Sequence, residues 1–587
     1  MSKDHIFNRV IVFVGILSIF LFVQAFSLPF NKQSTEICHD QTDCKYLLTE
    51  DLRDRQYSRR PTRRQLCEFC RITMPLVRGL ISRNKTDHIQ DIATYICGQL
   101  KIADDTVCRM AIEAYQTSVF SVTRNTQLTS HEMCSLALGC SKIKNPIIAW
   151  NISLPDVPKP PVIPFRPPPP HAKKIRILQL SDIHIDFEYQ PGSLADCEQP
   201  LCCRNISTSK SKTKTEESEA GFWGDYRNCD IPVWTVENMF KHIVKNEKFD
   251  FIYWTGDLPP HNIWNQTRND QINAQEQLTR LFLKYFPDKI ILPTLGNHEA
   301  TPCNLFPTPT VKEDNIEWLY NVLAKEWTQT GLPSSFYDNI KNGAFYSIKM
   351  APNFRVISLN TNYCPKENFW LFLNSTDPLG QLDWLVKILQ QSENNNEKVH
   401  IIGHIDPSQC LESWSANYYR IVNRYESTIV GQIFGHSHKD EISLFYDLEN
   451  TTRAVSVAYL GPSVTPLSFL NPSYRIYEVD GNYPMATWQI LDHTTVYLNL
   501  TEANLYNVTK WKKEYSVREV FQLENLMPES WNDLLDKVLD DIDSEQANKL
   551  FRYYSKSSDR FPDCDAYCKR KLFCSFKQAR SDNFIPC

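Results

Sequence analysis

Six short apolar segments between residues 175 and 434 constrain the fold most, because most of them run directly into a polar turn. These segments are 175–180, 251–254, 290–292, 356–359, 399–402 and 429–434. Five of the six are followed at once by a turn that carries Asp, Asn or His. Short strands that alternate with helical segments are typical of a layered α/β domain. The sequence therefore predicts an α/β fold, an α+β layered sandwich, from Lys174 onwards.

The polar turns carry side chains that bind metal ions. They are Ser181-Asp182-Ile183-His184, Gly256-Asp257-Leu258-Pro259-Pro260-His261, Gly296-Asn297-His298-Glu299, Gly403-His404 and Gly435-His436-Ser437-His438. Open α/β sheets bind ligands at the carboxyl ends of their strands, so these turns are expected to meet in one place. Carboxylate, amide and imidazole groups without thiolate suit Zn, Mn or Fe at a catalytic site rather than a structural one.

Spacing adds a second constraint on this site. Residues i and i+2 of extended backbone point the same way, so Asp182 and His184 can face one ion, and so can His436 and His438. The groups outnumber the needs of one ion and fit two ions about 3.5–4 Å apart, as in two-metal phosphatases and nucleases. Any one of these residues taken alone is more often a cap or turn residue. It is the ordered set that predicts a metal centre.

The N-terminus and the cysteine content indicate the secretory pathway. Lys3 and Arg9 flank the apolar run 10–23, which is typical of a signal peptide over residues 1–25 and too short for a spanning helix. The chain has 19 cysteines, which fits a disulfide framework in an oxidising compartment. Eight sequons predict N-glycosylation, at Asn84, Asn151, Asn205, Asn265, Asn374, Asn450, Asn499 and Asn507. We expect a secreted or lysosomal protein.

Composition divides the rest of the chain into four regions. Residues 63–144 combine helix-like apolar spacing with six cysteines, which predicts a small disulfide-linked helical domain. Residues 145–172 form a linker, with nine prolines in the 17 residues from 154 to 170. Residues 173–495 hold the strands and polar turns. Residues 496–587 read as a helical C-terminal domain with local bridges Cys564–Cys568 and Cys574–Cys587.

The ordered set D-x-H, G-D, G-N-H-E, G-H and G-H-x-H resembles the calcineurin-like metallophosphoesterases. That resemblance implies two metal ions per chain and two sets of ligands that share a bridging Asp257. One ion would bind Asp182, His184, Asp257 and His438, and the other Asp257, Asn297, His404 and His436. His261 and His298 belong to the same motifs but have no place among the ligands. They are therefore candidates for the general acid and for transition-state stabilisation.

From residue 67 to residue 587, the order of regions resembles the acid sphingomyelinase family. Finer stretches that agree include Glu367-Asn368-Phe369-Trp370 and His436-Ser437-His438-Lys439-Asp440-Glu441. The resemblance implies a saposin-like lipid-interacting domain at 63–144. It also implies zinc-dependent hydrolysis of sphingomyelin to ceramide and phosphocholine by a hydroxide shared between two metal ions. Glu367, with Trp370 nearby, would face the choline cation, and a structural role for Glu367 in its loop is an equal alternative.

The family resemblance also bears on the cysteines. In the helical domain it implies the pairs Cys67–Cys140, Cys70–Cys134 and Cys97–Cys108. Three further pairs are predicted in the catalytic domain, Cys197–Cys202, Cys203–Cys229 and Cys364–Cys410. The sequence leaves the pairing of Cys38, Cys44 and Cys303 open.

The expected partner is sphingomyelin in membranes or lipoproteins, met by a monomer through peripheral contact of the saposin-like domain. Nucleic acid is not expected as a partner, because the net charge is -5 and the sequence pI is near 6.3. Two alternatives remain. One is a sphingomyelinase-like phosphodiesterase acting on nucleotides or other phosphodiesters, and the other is a lipid-transfer protein with an inactive core.

Overall fold

The computed structural model describes residues 63–99, 103–162, 164–197, 199–205 and 219–581. Two compact units divide the chain, one up to Asn145 and one from Pro146 onwards. The predicted signal peptide lies outside the described residues, as do Cys38 and Cys44. Within the described residues, every helix is too short or too polar to span a lipid bilayer.

The described part of the first unit contains four helices that disulfides join. These helices are α1 (Arg63–Ser82), α2 (Asp87–Gln99), α3 (Asp105–Asn125) and α4 (Ser130–Leu138). The disulfides are Cys67–Cys140, Cys70–Cys134 and Cys97–Cys108, the three pairs that the family resemblance implies. The α3 helix begins where the Asp104 carboxylate accepts hydrogen bonds from the backbone N–H groups of Thr106 and Val107. This cap satisfies donors that have no partner inside the helix.

Two sheets form the centre of the second unit. One has the strand order β14-β13-β12-β1-β4-β5 and the other β10-β11-β9-β8-β7-β6. The first contains β1 (Lys174–Leu180), β4 (Phe251–Trp254), β5 (Ile291–Pro293), β12 (Ser473–Asp480), β13 (Ile490–Leu498) and β14 (Trp511–Ser516). The second contains β6 (Tyr346–Ala351), β7 (Phe354–Ser358), β8 (Lys398–Ile402), β9 (Ile429–Phe434), β10 (Glu441–Tyr446) and β11 (Ala454–Leu460). A small parallel pair, β2 (Ile185–Asp186) and β3 (Ile231–Pro232), lies apart from both sheets.

All six predicted strands are confirmed within two residues, as β1, β4, β5, β7, β8 and β9. Parallel pairing joins β1 to β4 and β4 to β5 in the first sheet, and β7 to β8 and β8 to β9 in the second. Parallel neighbours end at the same edge of a sheet. Each sheet therefore brings its polar turns together at one edge, as the sequence predicts.

The helices of the second unit cover the sheets. Their bounds are α5 (Val233–Asn246), α6 (Arg268–Tyr285), α7 (Glu317–Gln329), α8 (Tyr337–Lys341), α9 (Gln381–Asn394), α10 (Glu412–Arg424), α11 (Leu500–Tyr506), α12 (Val517–Phe521), α13 (Pro528–Asp540), α14 (Glu545–Tyr554) and α15 (Ala566–Phe576). One apolar core contains side chains of both sheets, such as Ile252 and Ile433, together with α5, α6 and α7. A second core places α9 and α10 against β8 and β9. The resulting layers are those of the predicted sandwich.

The C-terminal region differs from its predicted boundary. The division between residues 495 and 496 falls inside β13, and β14 extends the first sheet by antiparallel pairing with β13. Sequence reasoning missed β14 because Trp511–Ser516 is a short edge strand in which three of six residues are charged. Beyond this strand the region is helical, from α12 to α15.

Four more disulfides lie in the second unit. They are Cys197–Cys202, Cys203–Cys229, Cys364–Cys410 and Cys564–Cys568, all at predicted pairs. Cys574 is disulfide-bonded, and its predicted partner Cys587 lies outside the described residues. Cys303 is buried and stands outside these disulfides, with its Sγ 3.4 Å from the carbonyl oxygen of Asn297.

The start of the predicted linker is anchored on the second unit. The side-chain amide of Asn417 makes two hydrogen bonds to the backbone of the linker. Its Oδ1 accepts from the Ile152 N–H at 2.9 Å, and its Nδ2 donates to the Trp150 carbonyl at 3.0 Å. Further along, the Lys159 ammonium pairs with the Glu426 carboxylate at 2.6 Å. These contacts hold the linker against the second unit at Trp150, Ile152 and Lys159.

Candidate metal and catalytic centre

The predicted ligands stand on turns with unusual backbone conformations. Five of the seven have positive φ angles: Asp182 (49°), His184 (44°), Asp257 (56°), His436 (71°) and His438 (65°). Non-glycine residues seldom adopt this left-handed conformation, which costs on the order of 1 kcal/mol each and concentrates at functional sites. Such a cluster of strained turns indicates that the position of these side chains matters more than local backbone energy.

Glycine is required where two of these turns touch. Gly256 has φ +88°, and a Cβ there would lie 2.7 Å from the Gly296 nitrogen. A Cβ on Gly296 would lie 2.2 Å from Asp257 Oδ1. The glycines of the G-D and G-N-H-E motifs thus allow the two turns to approach each other around the Asp257 carboxylate.

The predicted ligands converge on one buried place. Asp257 is its centre, since its Oδ2 lies 3.1 Å from His404 Nε2 and 3.5 Å from His184 Nε2. His438 Nε2 lies 3.6 Å from Asp182 Oδ1. Three overlapping groups have side-chain donor atoms within 4.8 Å of one another. They are Asp182, His184 and Asp257; Asp257, His404 and His436; and His184, His261 and His438.

Backbone carbonyls fix the orientation of two imidazoles. His184 Nδ1 lies 2.7 Å from the Pro259 oxygen, and His404 Nδ1 lies 2.7 Å from the Thr255 oxygen. A carbonyl oxygen can only accept, so in each ring Nδ1 carries the proton and Nε2 offers its lone pair to the cluster. Metal-binding histidines are usually oriented in this way.

The donor set around His404 fits a cation. His404 Nε2 lies 2.9 Å from Asn297 Oδ1 as well as 3.1 Å from Asp257 Oδ2. Because the Nδ1–H of His404 donates to the Thr255 carbonyl, the neutral ring presents the electron pair of Nε2 to two oxygens that also carry electron pairs. Burial lowers the pKa of His404, but the charges of Asp257 and Asp182 and the hydrogen bonds to Asp257 and Thr255 together outweigh it and raise that pKa to about 9. A divalent ion among the three atoms would satisfy them, and His184 Nε2, which has no hydrogen-bond partner in the described chain, is a further donor.

The two carboxylates are held by neighbouring backbone. The His436 N–H donates to Asp182 Oδ1 at 3.0 Å, and the His298 N–H donates to Asp257 Oδ1 at 2.9 Å. The Ser181 hydroxyl also donates to Asp182 Oδ2. Burial raises the pKa of Asp182 to about 7, with the Asp257 charge adding to the effect. Asp182 therefore needs positive charge nearby to stay ionised in this buried place.

His261 has a different kind of partner. Its Nδ1 lies 2.9 Å from Asp230 Oδ1, and its backbone N–H donates to Asp230 Oδ2 at 2.7 Å. Burial lowers the pKa of His261, but the Asp230 carboxylate outweighs this and leaves the pKa raised. The His261 ring centroid lies 4.0 Å from that of His184 and 4.5 Å from that of His298. A histidine that holds a proton therefore stands at the edge of the metal cluster.

His298 lacks a carboxylate partner for its ring. Its Nδ1 is buried without a hydrogen bond in the described part of the chain, and burial lowers its pKa to about 4. The ring is neutral at most pH values and stands beside His184, with ring centroids 4.8 Å apart. The two predicted catalytic histidines thus lie together but differ in protonation.

Glu367 lies in the loop that follows Cys364 and does not belong to the described groups that could hold a metal ion. Its side chain is half-buried, and Trp370 in the next short helix is buried. The neighbouring Asn368 ties this loop to the Asn297 side of the site, because its side chain exchanges hydrogen bonds with the Phe306 backbone. The loop is fixed, and the role of Glu367 stays a prediction.

Sequence reasoning missed Asp230 and Thr465. Asp230 is fully buried and accepts a hydrogen bond from Thr465 Oγ1 at 2.9 Å in addition to its contacts with His261. Asp230 neither follows a long apolar strand nor belongs to a glycine-containing turn, and Thr465 lies five residues beyond the end of β11, past Gly461. The one local signal is the position of Asp230 between Cys229 and the short strand β3, which gives no indication of its distant partners.

Comparison with known proteins agrees with this site. The model of the calcineurin-like phosphoesterases matches residues 175–440, and that of the acid sphingomyelin phosphodiesterase C-terminal region matches residues 453–587. The sphingomyelin phosphodiesterase of Bos taurus is 41% identical over 527 residues, which cover 88% of this chain and 83% of that protein. The chain belongs to the acid sphingomyelinase family.

Other relatives give the range of this family. The sphingomyelin phosphodiesterase of Homo sapiens is 40% identical and covers 90% of this chain and 84% of that protein. Cyclic GMP-AMP phosphodiesterase SMPDL3A of Homo sapiens is 32% identical and covers 72% of this chain and 91% of that protein. This protein is thus a phosphoesterase. Its fold implies divalent metal ions, and its cluster of carboxylates and imidazoles can hold them.

Proposed function

We propose that the protein hydrolyses sphingomyelin to ceramide and phosphocholine with the help of two zinc ions. The observation that carries this proposal is the convergence of His404 Nε2, Asn297 Oδ1 and Asp257 Oδ2 on one another, beside the protonated His261. Relatives named sphingomyelin phosphodiesterase, which match about nine-tenths of the chain, supply the substrate. A site with several buried carboxylates and imidazoles suits phosphoester hydrolysis.

The metal ligands are assigned as the motifs suggest. One ion would be held by Asp182, His184, Asp257 and His438, and the other by Asp257, Asn297, His404 and His436. Two bound divalent cations supply charge that stabilises the phosphoryl oxygens and lowers the pKa of attacking water. Zinc is the proposed ion because these ligands accept it and the resemblance to the acid sphingomyelinase family implies it.

The chain's own acid is His261. Its ring keeps a proton because Asp230 holds Nδ1, and its other nitrogen is free to face the departing ceramide oxygen. Donation of that proton would let ceramide leave as a neutral alcohol. His298, neutral and 4.5 Å away between ring centroids, would hydrogen-bond the phosphoryl group rather than protonate the leaving group.

Recognition of the substrate head group is assigned to Glu367, because a carboxylate attracts a quaternary ammonium ion. The fixed loop around Asn368 supports this assignment, because choline selection needs a surface that does not move when lipid enters.

The helical unit at residues 63–144 is proposed to contact lipid. Ile72 and Leu76 stand one turn apart on α1 and are 60% and 42% exposed, and Tyr95 on α2 is 63% exposed. Large apolar side chains in such positions favour the interface of a membrane or lipoprotein. This unit would bring the catalytic unit to a substrate that is not free in water.

Secretion and lysosomal delivery belong to the same proposal. Seven disulfides among the described residues require an oxidising compartment. All but one of the eight sequon asparagines are exposed, and the exception, Asn499, is half-buried. Glycans can therefore be carried without disturbing the core.

One alternative function is supported by a specific observation. The relative that acts on cyclic GMP-AMP covers most of this chain, so a soluble nucleotide is a second candidate substrate. The two functions differ in whether the helical unit is needed, since a soluble nucleotide requires no lipid contact.

The test is an assay of the purified glycoprotein on two kinds of substrate. Sphingomyelin liposomes and, separately, ATP or CDP-choline are incubated with it between pH 4.5 and 7.5, with and without chelator and added zinc. We expect chelator-sensitive release of phosphocholine that falls when residues 67–140 are deleted. Hydrolysis of nucleotide without lipid would replace the proposal by the alternative. Lipid transfer without any hydrolysis would reject both enzymatic functions.

A further inference from the structure

Lys556 is a fully buried lysine in the C-terminal region, two residues after α14. Its Nζ donates to the Ser463 carbonyl oxygen at 2.9 Å and to the Ser463 hydroxyl at 2.7 Å. Lysine is among the residues least often buried, because its amino group loses water on burial. Two bonds to one distant residue therefore call for an explanation beyond packing.

The segment that receives these bonds lies against the predicted metal ligands. The Ser463 N–H donates to the His438 carbonyl at 3.2 Å. The next two N–H groups in the segment, of Val464 and Thr465, donate to the carbonyls of Ser181 and Asp182 at 3.0 and 3.1 Å. The segment 463–465 therefore joins the backbone of two separate turns of the cluster.

The same segment also reaches the proposed acid. Ser463 Oγ donates to the Thr465 carbonyl at 2.7 Å, which fixes the turn. Thr465 Oγ1 then donates to Asp230 Oδ1 at 2.9 Å, and Asp230 holds the ring of His261. One short segment thus supports both halves of the catalytic centre, and Lys556 is bonded to its first residue.

We propose that Lys556 is a positioning residue for phosphodiester hydrolysis, acting through the segment 463–465 on the Asp182 and His438 turns and on the Asp230–His261 pair. This inference rests on the proposed function, since it concerns the same site. It assigns the C-terminal region a part in catalysis, because the residue that aligns the segment comes from there. Displacement of a catalytic group by about 1 Å can cost on the order of 100-fold in rate.

The test uses Lys556→Met in the full-length glycoprotein. Methionine keeps an unbranched chain of similar length, and the backbone bonds of Lys556 to Tyr553 and Asn471 are retained. We expect kcat on sphingomyelin micelles to fall about 10- to 100-fold, with KM changed less than about threefold, because the groups that act in the transition state are displaced. Lys549→Met is the matched control, since Lys549 is a partly exposed lysine of α14 paired with Glu545.

Coupling separates positioning from a general loss of stability. Thr465→Val removes the hydroxyl that holds Asp230, so it should lower kcat by itself. Combined with Lys556→Met it should cost less than the product of the two separate losses, since both act through one segment. Losses that multiply, or a kcat for Lys556→Met within twofold of the unsubstituted protein, would overturn the inference. If Lys556→Met is not secreted, Ser463→Ala takes its place, and an unchanged kcat for that variant counts against it equally.

A zinc titration distinguishes failure of this inference from failure of the proposed function. Metal-free protein is titrated by calorimetry, which needs no substrate. We expect Lys556→Met to bind zinc at least about fivefold more weakly than the unsubstituted protein and the Lys549→Met control, as for changes that support ligand turns. An unsubstituted protein that binds zinc but leaves sphingomyelin intact refutes only the proposed substrate. Equal zinc affinity in all three proteins refutes the role of Lys556 at the ligand turns.

Discussion

The metal cluster and the Asp230–His261 pair both use imidazole side chains, but in opposite ways. In the cluster, Nδ1 of His184 and of His404 donates to a backbone carbonyl, which leaves Nε2 as an electron-pair donor. In the pair beside it, Nδ1 of His261 faces a carboxylate, which favours the imidazolium form. The partner at Nδ1 thus fixes which ring nitrogen faces the cluster in the first case, and in the second it adds a charge that favours the imidazolium form.

Removal of the shared carboxylate of Asp257 should impair the metal cluster most severely. Asp257→Asn takes away the proposed bridge between both ions while keeping the size of the side chain. We expect sphingomyelin hydrolysis to fall on the order of a thousandfold, since metal ions contribute several kcal/mol to the transition state and 1.36 kcal/mol is tenfold. Metal content, measured by mass spectrometry, should fall with it. Asp225→Asn is the control, as Asp225 pairs with Arg227. Normal activity in Asp257→Asn would contradict the bridging role.

Substitution of the two histidines that follow β9 should show which ion each of them binds. His436→Ala and His438→Ala are each expected to empty or weaken a different metal site and to lower activity by on the order of 100-fold. Metal content near one equivalent per chain in each variant would support this. Should either variant keep full metal content and activity, the assignment of ligands is wrong.

At the Asp230–His261 pair, His261→Gln should remove the general acid without removing metal from the cluster. General acid catalysis contributes about 10²–10⁴-fold, so activity should fall by about 100-fold or more. Metal content should stay that of the unsubstituted protein. His400→Gln is the control, because His400 is a buried histidine hydrogen-bonded to Tyr253 and the Trp488 carbonyl in the core. Loss of metal from His261→Gln would place His261 among the ligands.

The mildest change is Asp230→Asn, which keeps His261 but takes away the charge that raises its pKa. Its raised pKa means that the pair stabilises the fold below the ordinary histidine value of 6.5 and that this stabilisation is lost as pH rises through the raised value. We expect a loss of about 10- to 100-fold and a shift of the alkaline limb of the kcat profile to lower pH. A pH profile with an unmoved alkaline limb would argue that His261 is not the acid.

Local sequence patterns were enough to predict the metal ligands, but not the residues that position the ligand turns and His261. Asp182, His184, His436 and His438 are predictable because each directly follows an apolar strand, and a strand's end fixes where its turn lies. Asp230 acts through a residue 31 positions away, so no local pattern reports it. The same is true of Thr465, 235 positions from Asp230, and of Lys556, 93 positions from Ser463.

Secondary structure was likewise predictable where the signal is local and not where it depends on a distant segment. The strands with continuous apolar runs were predictable, whereas β14, with Lys512, Lys513 and Glu514 in its middle, forms only because β13 offers an edge to pair with. Periodicity reports burial of one face, and an edge strand with a polar face carries little of that signal. Contacts between distant segments therefore account for what the sequence did not predict.

The most direct test of the account is the metal content of the secreted protein at full activity. The protein is purified without chelator, stripped, and reloaded with zinc in measured steps while sphingomyelin hydrolysis is followed. We expect activity to be complete only at two zinc ions per chain. Full activity with one ion or none would contradict the two-metal centre around Asp257.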